Sequence, residues 1–122
     1  MSTVKIRHLN WVVVLHPTTD LVGDQGTEDL LEAFQSAWSE SYQGIVINLS
    51  DVQAMNSTGL GALMNCVGLA NRNQSKIAFC RPSPALARLL AQISAQMQLP
   101  PSSGLRIWFK SEAEAIRYCS ER

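Results

Sequence analysis

Hydrophobic and polar residues follow one another along this chain in two periods, one typical of strands and one typical of helices. Residues 4–9 and 11–15 are short stretches with strand-like apolar patterns, and together they predict an opening hairpin. Residues 44–50, GIVINLS, are almost continuously apolar, which is typical of a strand buried on both faces of a parallel sheet. We therefore expect residues 44–50 to lie at the centre of the fold.

The first helix is predicted to follow the turn-rich segment 17–26. Thr27 is placed to cap it, because a threonine side-chain oxygen can accept a hydrogen bond from a free amide of the first turn. Glu28 and Asp29 then fall in that turn, where the positive end of the helix dipole favours carboxylates. The buried stripe of this helix is predicted to consist of Leu30, Leu31, Phe34 and Trp38.

Two further helices are predicted on either side of a short apolar strand at residues 76–80. The first of them covers residues 57–73, where apolar residues recur at helical spacing, and Gly61 and Gly68 are expected to let it pack closely on the sheet. The second runs over residues 83–98, with a serine cap at its start. Its neutral polar face predicts either a second surface for a partner protein or a solvated face behind a core stripe.

The chain is predicted to end in a strand at residues 105–109 and a helix capped by Ser111. The predicted order is two strands followed by alternating helices and strands, and such an order produces a sheet with helices packed against it. The predicted fold class is α/β: one domain over residues 1–122, with a mixed β-sheet of four to five strands flanked by about four helices.

Composition narrows the classes of partner. Lys plus Arg and Asp plus Glu number 10 each among 122 residues, so no excess of cations exists to neutralise a nucleic-acid backbone. No apolar run has the length of a membrane-spanning helix, and we expect a cytoplasmic protein with no direct membrane insertion. Cys66, Cys80 and Cys119 show no recognised redox spacing, and Cys66 and Cys80 are predicted to be buried and inert.

The inventory of reactive side chains argues against an enzyme. A serine nucleophile needs a base, yet His8 and His16 lie on or beside the opening strands, and Met55 stands where a G-x-S-x-G elbow would have its first glycine. The sequence STGLG lacks the lysine of a Walker loop. Two histidines and three scattered cysteines match no metal-site spacing, so we expect neither a metal nor a cofactor.

The most specific chemistry lies in residues 50–65, SDVQAMNSTGLGALMN, where a small hydroxylated turn connects the central strand to a helix. Asn56, Ser57 and Thr58 fit a helix cap, in which one side-chain oxygen accepts from a free amide and the others are turn residues. The same three residues also fit a site of covalent modification.

Charge is the reason for considering modification. Asp51 is the only Asp, Glu, Lys or Arg in residues 44–71. A phosphate on Ser57 would bring about −1.5 to −2 charges into this neutral patch, at a helix N-terminus whose amides and dipole favour an anion. An apolar partner laid against the patch would be repelled.

The sequence IVINLSDVQAMNSTGLGALMN, followed by a strand, PSPALARLL and a final SEAEAI, resembles the STAS domain, and specifically the bacterial anti-sigma factor antagonists. The resemblance extends over residues 12–117 and is most specific at the hydroxylated turn and the helix after it. One departure lies at Asn56, where the family usually has an aspartate; an asparagine keeps the capping geometry and removes a negative charge. The segment TTDLVGDQG matches the family weakly, at a place where partner contacts could differ.

This resemblance implies a partner-switching role. In that scheme the unphosphorylated protein binds an anti-sigma factor that is also a serine kinase, phosphorylation at Ser57 ends the complex, and a PP2C-like phosphatase restores it. Thr58 would be a structural neighbour, and the expected partner-binding residues are Asn56, Ser57, Thr58, Gly59 and Leu60. The alternative is a constitutive, non-enzymatic docking subunit, for example of a lipid-transport permease complex, in which the turn is only a cap and docking edge.

Overall fold

The computed structural model describes residues 3–39, 43–72, 75–89 and 108–121. The strands are β1 (Val4–Leu9), β2 (Val12–Pro17), β3 (Gly44–Asn48), β4 (Lys76–Cys80) and β5 (Trp108–Phe109). The helices are α1 (Gln25–Ser39), α2 (Ser57–Arg72), α3, described over residues 84–89, and α4 (Glu112–Ser120). None of the helices in these ranges has both the length and the apolar character needed to cross a bilayer.

The five strands lie side by side in chain order, β1-β2-β3-β4-β5, and the predicted α/β fold with a mixed sheet is confirmed. β1 and β2 form the predicted antiparallel hairpin, whose turn uses Asn10 at a φ of 53°, a left-handed conformation that asparagine tolerates. β2 to β5 are parallel to one another. β3 lies between two parallel neighbours and all its residues are buried, as the continuous apolar run predicted.

The two faces of the sheet are covered unequally. Alternate residues of β3 show the division: Ile45 and Ile47 belong to a large core shared with α1, α2 and α3, whereas Val46 belongs to a smaller core under α4. α4 lies close against β3, since a Cβ added to Gly44 would lie 2.5 Å from the Cβ of Cys119. α4 is therefore the one described helix that closes the second face.

The start of α1 differs from the prediction. The helix begins at Gln25, and the side chain of Asp24 caps it by accepting a hydrogen bond from the Gly26 amide at 3.2 Å. The prediction that Thr27 is the cap is wrong, because Thr27 lies inside the helix and its hydroxyl turns back to accept from the Gly23 amide at 2.9 Å. Thr27 thus fixes the preceding loop to α1.

The predicted close packing of α2 at Gly61 and Gly68 is also wrong. A Cβ added at either position meets no atom within 4 Å. The close approach of this helix is made by Gly59, at its first turn, as described below.

The caps of the last two helices are as predicted. The hydroxyl of Ser83 accepts from the Leu86 amide at 3.2 Å, and that of Ser111 accepts from the Glu114 amide at 3.2 Å. The rest of the helix predicted over residues 83–98, with the partner surface suggested on it, lies outside the described residues. So do the predicted beginning of the last strand and the loop before it.

All three cysteines are buried, as predicted for Cys66 and Cys80. Burial raises the pKa of the Cys66 thiol to about 12, that of Cys80 to about 11 and that of Cys119 to about 12, because desolvation disfavours a thiolate. A thiol that stays protonated at neutral pH is a poor nucleophile. Their inertness toward thiol reagents in the native protein stays a prediction.

Asp29 of α1 connects this helix to Thr3, the residue before β1. Its Oδ2 accepts hydrogen bonds from the Thr3 amide at 2.9 Å and the Thr3 hydroxyl at 2.8 Å, and its Oδ1 accepts from Gln25 Nε2 at 2.7 Å. The bond from the Thr3 amide, then those from Gln25 and the Thr3 hydroxyl, lower the pKa of Asp29 because they stabilise the carboxylate.

Acid should therefore remove part of the stability of the fold. The folded pKa of Asp29 lies below its unfolded value of about 4, so its contribution is complete above about pH 4 and is lost as the pH falls through the folded pKa. In Asp29→Asn the free energy of unfolding, measured by urea titration, should change less between neutral and acid pH than in the wild type. Glu32→Gln, at an exposed position of the same helix, should follow the wild type. An Asp29→Asn protein as acid-sensitive as the wild type would contradict this assignment.

Candidate functional site

Residues 56–60 form the N-terminal end of α2, and Asn56, just before the first helical residue, provides the helix cap. The side-chain Oδ1 of Asn56 accepts from the Gly59 amide at 3.0 Å, and its backbone carbonyl accepts from the Leu60 amide at 2.9 Å. Among the three candidates for a cap, the structure thus selects Asn56. The hydroxyl groups of Ser57 and Thr58 are not used for capping.

Ser57 is the first residue of α2 and is exposed. Its hydroxyl makes no hydrogen bond with any residue in the described ranges, and the same is true of the amides of Ser57 and Thr58. Among the described residues, two amides at the positive end of the helix dipole therefore have no hydrogen-bond partner. An anionic group carried by Ser57 would lie at the end of the helix that favours it.

A second segment, residues 20–24, lies against this turn and is called the 20–24 loop. Leu21 and Met55 form a parallel bridge, the Leu21 amide donates to the Ala54 carbonyl at 3.1 Å, and the Asn56 amide donates to the Leu21 carbonyl at 3.2 Å. These bonds continue the pairing of β2 and β3 beyond the ends of the strands. The segment that matched the family weakly is thus part of the site.

The 20–24 loop also brings charge to the site. Asp20 Oδ1 accepts from the amides of Gln53 and Ala54, at 2.9 and 3.1 Å, and Asp24 caps α1 at the other end of the loop. The patch around Ser57 is neutral along the chain, but the 20–24 loop that contacts residues 54–56 carries two carboxylates. Sequence reasoning missed these neighbours because they lie more than thirty residues away.

Gly59 is buried where α2 passes the 20–24 loop. A Cβ at this position would overlap the backbone carbonyl oxygen of Leu21 and lie 2.7 Å from its carbonyl carbon. The loop also needs glycine at Gly23, where φ is 84° and an added Cβ would lie 3.0 Å from Cγ2 of Thr58. Gly59 thus lets α2 approach the backbone of the loop, and Gly23 leaves room for the side chain of Thr58.

The five predicted partner-binding residues therefore have different surroundings. Asn56, Ser57 and Thr58 are exposed, Leu60 is half-buried, and Gly59 is buried. The first three can meet another protein directly, whereas Gly59 sets the distance between α2 and the loop.

Asn56 uses both ends of its amide group. While Oδ1 caps α2, Nδ2 donates to the backbone carbonyl of Val22 at 2.7 Å. An aspartate at this position would keep the capping oxygen but would have no donor for Val22, and its second oxygen would face the carbonyl oxygen. The amide thus fastens the 20–24 loop to the turn in a way that a carboxylate cannot.

Although the helix dipole favours a carboxylate at this end of α2, Asn56→Asp should lower the free energy of unfolding by about 1 kcal/mol at neutral pH, because the hydrogen bond to Val22 is replaced by repulsion between two oxygens. Asn56→Ala, which also removes the cap, should cost about 2 kcal/mol. Asn65→Asp adds the same charge at an exposed position in the middle of α2 and should stay within about 0.5 kcal/mol of the wild type. Urea denaturation at neutral pH measures all three, and equal values for Asn56→Asp and Asn65→Asp would refute the role of Nδ2.

His16 of β2 lies close to the residues that follow β3, but its contacts do not have the arrangement of a catalytic triad. His16 Nε2 lies 2.8 Å from Asp51 Oδ2 and 3.4 Å from Ser50 Oγ. Both contacts use the same ring nitrogen, whereas a triad needs one nitrogen for the carboxylate and the other for the serine. Across the described ranges, no three His, Cys, Asp or Glu side chains are grouped so that they could hold a metal ion.

The chain is similar to known proteins both in its sequence family and in its fold. The family model described as STAS domain matches residues 4–107. No curated protein is matched by sequence. TM1081 from Thermotoga maritima, a candidate anti-sigma factor antagonist, superposes with a TM-score of 0.79 at 18% identity, over 97% of this chain and 95% of its own.

Two further structures show how widely this fold is used. The Bacillus cell fate determinant SpoIIAA in its phosphorylated form has a TM-score of 0.70 at 17% identity, over 94% of this chain and 97% of its own. The murine anion transporter Slc26a9 has a TM-score of 0.74 at 10% identity, over 93% of this chain but only 18% of its own. At these identities the superpositions establish a shared fold.

Proposed function

Because the chain belongs to the STAS domain family, we propose that it is a non-enzymatic, partner-switching protein of the anti-sigma factor antagonist type. In its unphosphorylated form it binds an anti-sigma factor with serine kinase activity, and phosphorylation at Ser57 ends that complex until a PP2C-like phosphatase removes the phosphate. SpoIIAA is described as an anti-sigma factor antagonist, with structures in unphosphorylated and phosphorylated forms. A shared fold does not fix function, so the proposal rests on the residues around Ser57.

The observation that carries the proposal is the division of tasks in the first turn of α2. Asn56 holds the cap and fastens the 20–24 loop, while the Ser57 hydroxyl is exposed and unbonded among the described residues. A hydroxyl with no structural task can be modified without removing a stabilising contact. A phosphate at Ser57 would change the charge of the surface and leave the fold in place.

The surroundings favour Ser57 over Thr58 as the residue that is phosphorylated. The side chain of Thr58 lies close to Gly23 of the 20–24 loop. A Cβ added at Gly23 would lie only 3.0 Å from Cγ2 of Thr58. Ser57 is one residue earlier, at the corner where the chain enters the helix. A kinase active site would reach the hydroxyl of Ser57 with less obstruction.

The expected effect of the phosphate is repulsion of the partner. Val22 is an exposed apolar residue beside the turn, and a docking protein could bury its side chain. A phosphate of about −1.5 to −2 charges on Ser57 would make that surface acidic, because the 20–24 loop next to the turn already carries Asp20 and Asp24. Bringing an apolar or acidic partner face against it would then be unfavourable.

The test is purification of the protein with its partner from the native cell, with and without ATP. Mass spectrometry of the peptide covering residues 54–72 should find phosphate on Ser57, and ATP should dissociate the wild-type complex. Ser57→Ala should stay bound in ATP, whereas Thr58→Val, which removes only the neighbouring hydroxyl, should still dissociate. A complex of Ser57→Ala that ATP dissociates as it does the wild type would overturn the proposal.

A second candidate is the constitutive docking subunit, for example of a lipid-transport permease complex. The observation that favours it is the amide of Asn56, which departs from the family's usual carboxylate and locks the turn to the loop. The same fold also occurs within a much longer transporter chain. This function predicts copurification with a permease and its ATPase, no phosphate on residues 54–72, and a complex that ATP does not disturb.

A further inference from the structure

β1 is the outer strand of the sheet, and in the part of the chain that the structure describes it pairs with β2 alone. The Thr18 amide donates to the Thr3 carbonyl at 2.8 Å, and bonded pairs alternate in an antiparallel ladder. Lys5 and Arg7 therefore direct their backbone groups toward β2. Ile6, between them, directs its N–H and C=O away from the sheet, toward solvent.

The side chain of Ile6 lies over a groove between β1 and α1. Ile6 is 43% exposed, although strand residues on this face normally contribute to the core. The groove has a volume of about 90 Å³ and a mixed lining, in which Val13 from β2 and Ala33 and Ala37 from α1 are apolar, and His8 and Ser36 are polar. An apolar side chain from outside could cover Ile6 by lying in this groove.

The other face of β1 carries two cations, one of which is paired with an acidic residue of α4. Lys5 and Arg7 are exposed there, and β1 contains no acidic residue. Arg7 forms an ion pair with Glu112 of α4, but its side chain remains 54% exposed. Lys5 forms no ion pair within the described ranges.

We propose that β1 is a docking edge for an extended acidic segment of another protein. The segment would add a sixth strand beside β1, with backbone hydrogen bonds to Ile6. One of its apolar side chains would lie in the groove, and the side chains on its other face would be carboxylates opposite Lys5 and Arg7.

Charge also argues against a second copy of this chain as the strand that pairs with β1. Antiparallel pairing of two β1 strands about Ile6 would place Lys5 of each copy opposite Arg7 of the other. Parallel pairing in register would place each cation opposite its own counterpart. Like charges directly opposite one another destabilise a strand pair, and cations on an edge strand discourage self-association.

The test uses two short peptides, one of alternating valine and glutamate and one of alternating valine and lysine, titrated into the isotope-labelled full-length protein. The glutamate peptide should cause saturable shifts in the backbone amide resonances of β1, and the lysine peptide should not. Lys5→Glu should weaken binding of the glutamate peptide about tenfold and give binding to the lysine peptide. Ile6→Pro removes the outward-facing N–H and the isoleucine side chain but none of the bonds to β2, so it should abolish binding while β1 stays paired with β2.

Three controls make the outcome decisive. Circular dichroism and unchanged resonances of β3 verify that each variant is folded, and Ser57→Asp should bind the peptide as the wild type does, because the two surfaces are separate. Equal binding of the two peptides, absence of shifts in β1, or a concentration-dependent dimer that Ile6→Pro disrupts would each overturn the proposal.

Discussion

Gly59→Ala should lower the free energy of unfolding by about 3 kcal/mol, as judged from the usual range for overpacked sites. The added methyl group would overlap the Leu21 carbonyl, which is part of the backbone and cannot move aside by changing a rotamer. Either α2 must shift or the 20–24 loop must leave the turn. Movement of the loop would break the bonds that join Leu21 to Ala54 and Asn56.

The matched controls are glycine-to-alanine changes in the same helix. Gly61→Ala and Gly68→Ala add a methyl group into open space and should stabilise the protein by about 0.5 to 1 kcal/mol, because alanine has the higher helix propensity. Urea denaturation of the three variants should thus give opposite signs at positions only two and nine residues apart. A Gly59→Ala protein as stable as Gly61→Ala would show that the contact with Leu21 does not constrain the turn.

Ser57→Asp should weaken binding to the partner by about 2 kcal/mol, or roughly thirtyfold, since a fixed charge would have to be desolvated in the interface, next to a loop that already carries two carboxylates. The fold should be unaffected, because Asn56 provides the cap and a carboxylate at the first helical position is favoured by the dipole. Ser57→Ala should bind as tightly as the wild type. Titration calorimetry with the copurified partner measures all three affinities.

Asn65→Asp is the control for charge alone. It adds the same charge on an exposed position of α2, two turns away from Ser57, and should leave the affinity unchanged. If Ser57→Asp bound as tightly as Asn65→Asp, the turn would be a docking surface without a charge-dependent switch.

The sequence predicted the parts of the fold that depend on local periodicity. The apolar run of β3 indicated a central parallel strand, and the helical spacing after Ser57 indicated α2; both are confirmed. The caps at Ser83 and Ser111 were predictable because a cap bonds to amides two or three residues away.

The errors concern choices that depend on distant partners. Both Asp24 and Thr27 can cap a helix, and the selection of Asp24 follows from the path of the 20–24 loop. The three glycines of α2 look alike in the sequence, yet only Gly59 has the carbonyl of Leu21 beside it. No local pattern distinguishes these cases, since the deciding atom is brought in by tertiary contacts.

The order of the strands in the sheet has a consequence for synthesis on the ribosome. Each parallel strand can pair with its predecessor as soon as it emerges, because neighbours in the chain are neighbours in the sheet. The smaller core cannot form in this stepwise way, since Val14 and Val46 are covered by Ala115 and Cys119 of α4, which follows all five strands along the chain. A nascent chain that stalls before α4 would therefore present one apolar face of an otherwise assembled sheet to chaperones or to aggregation.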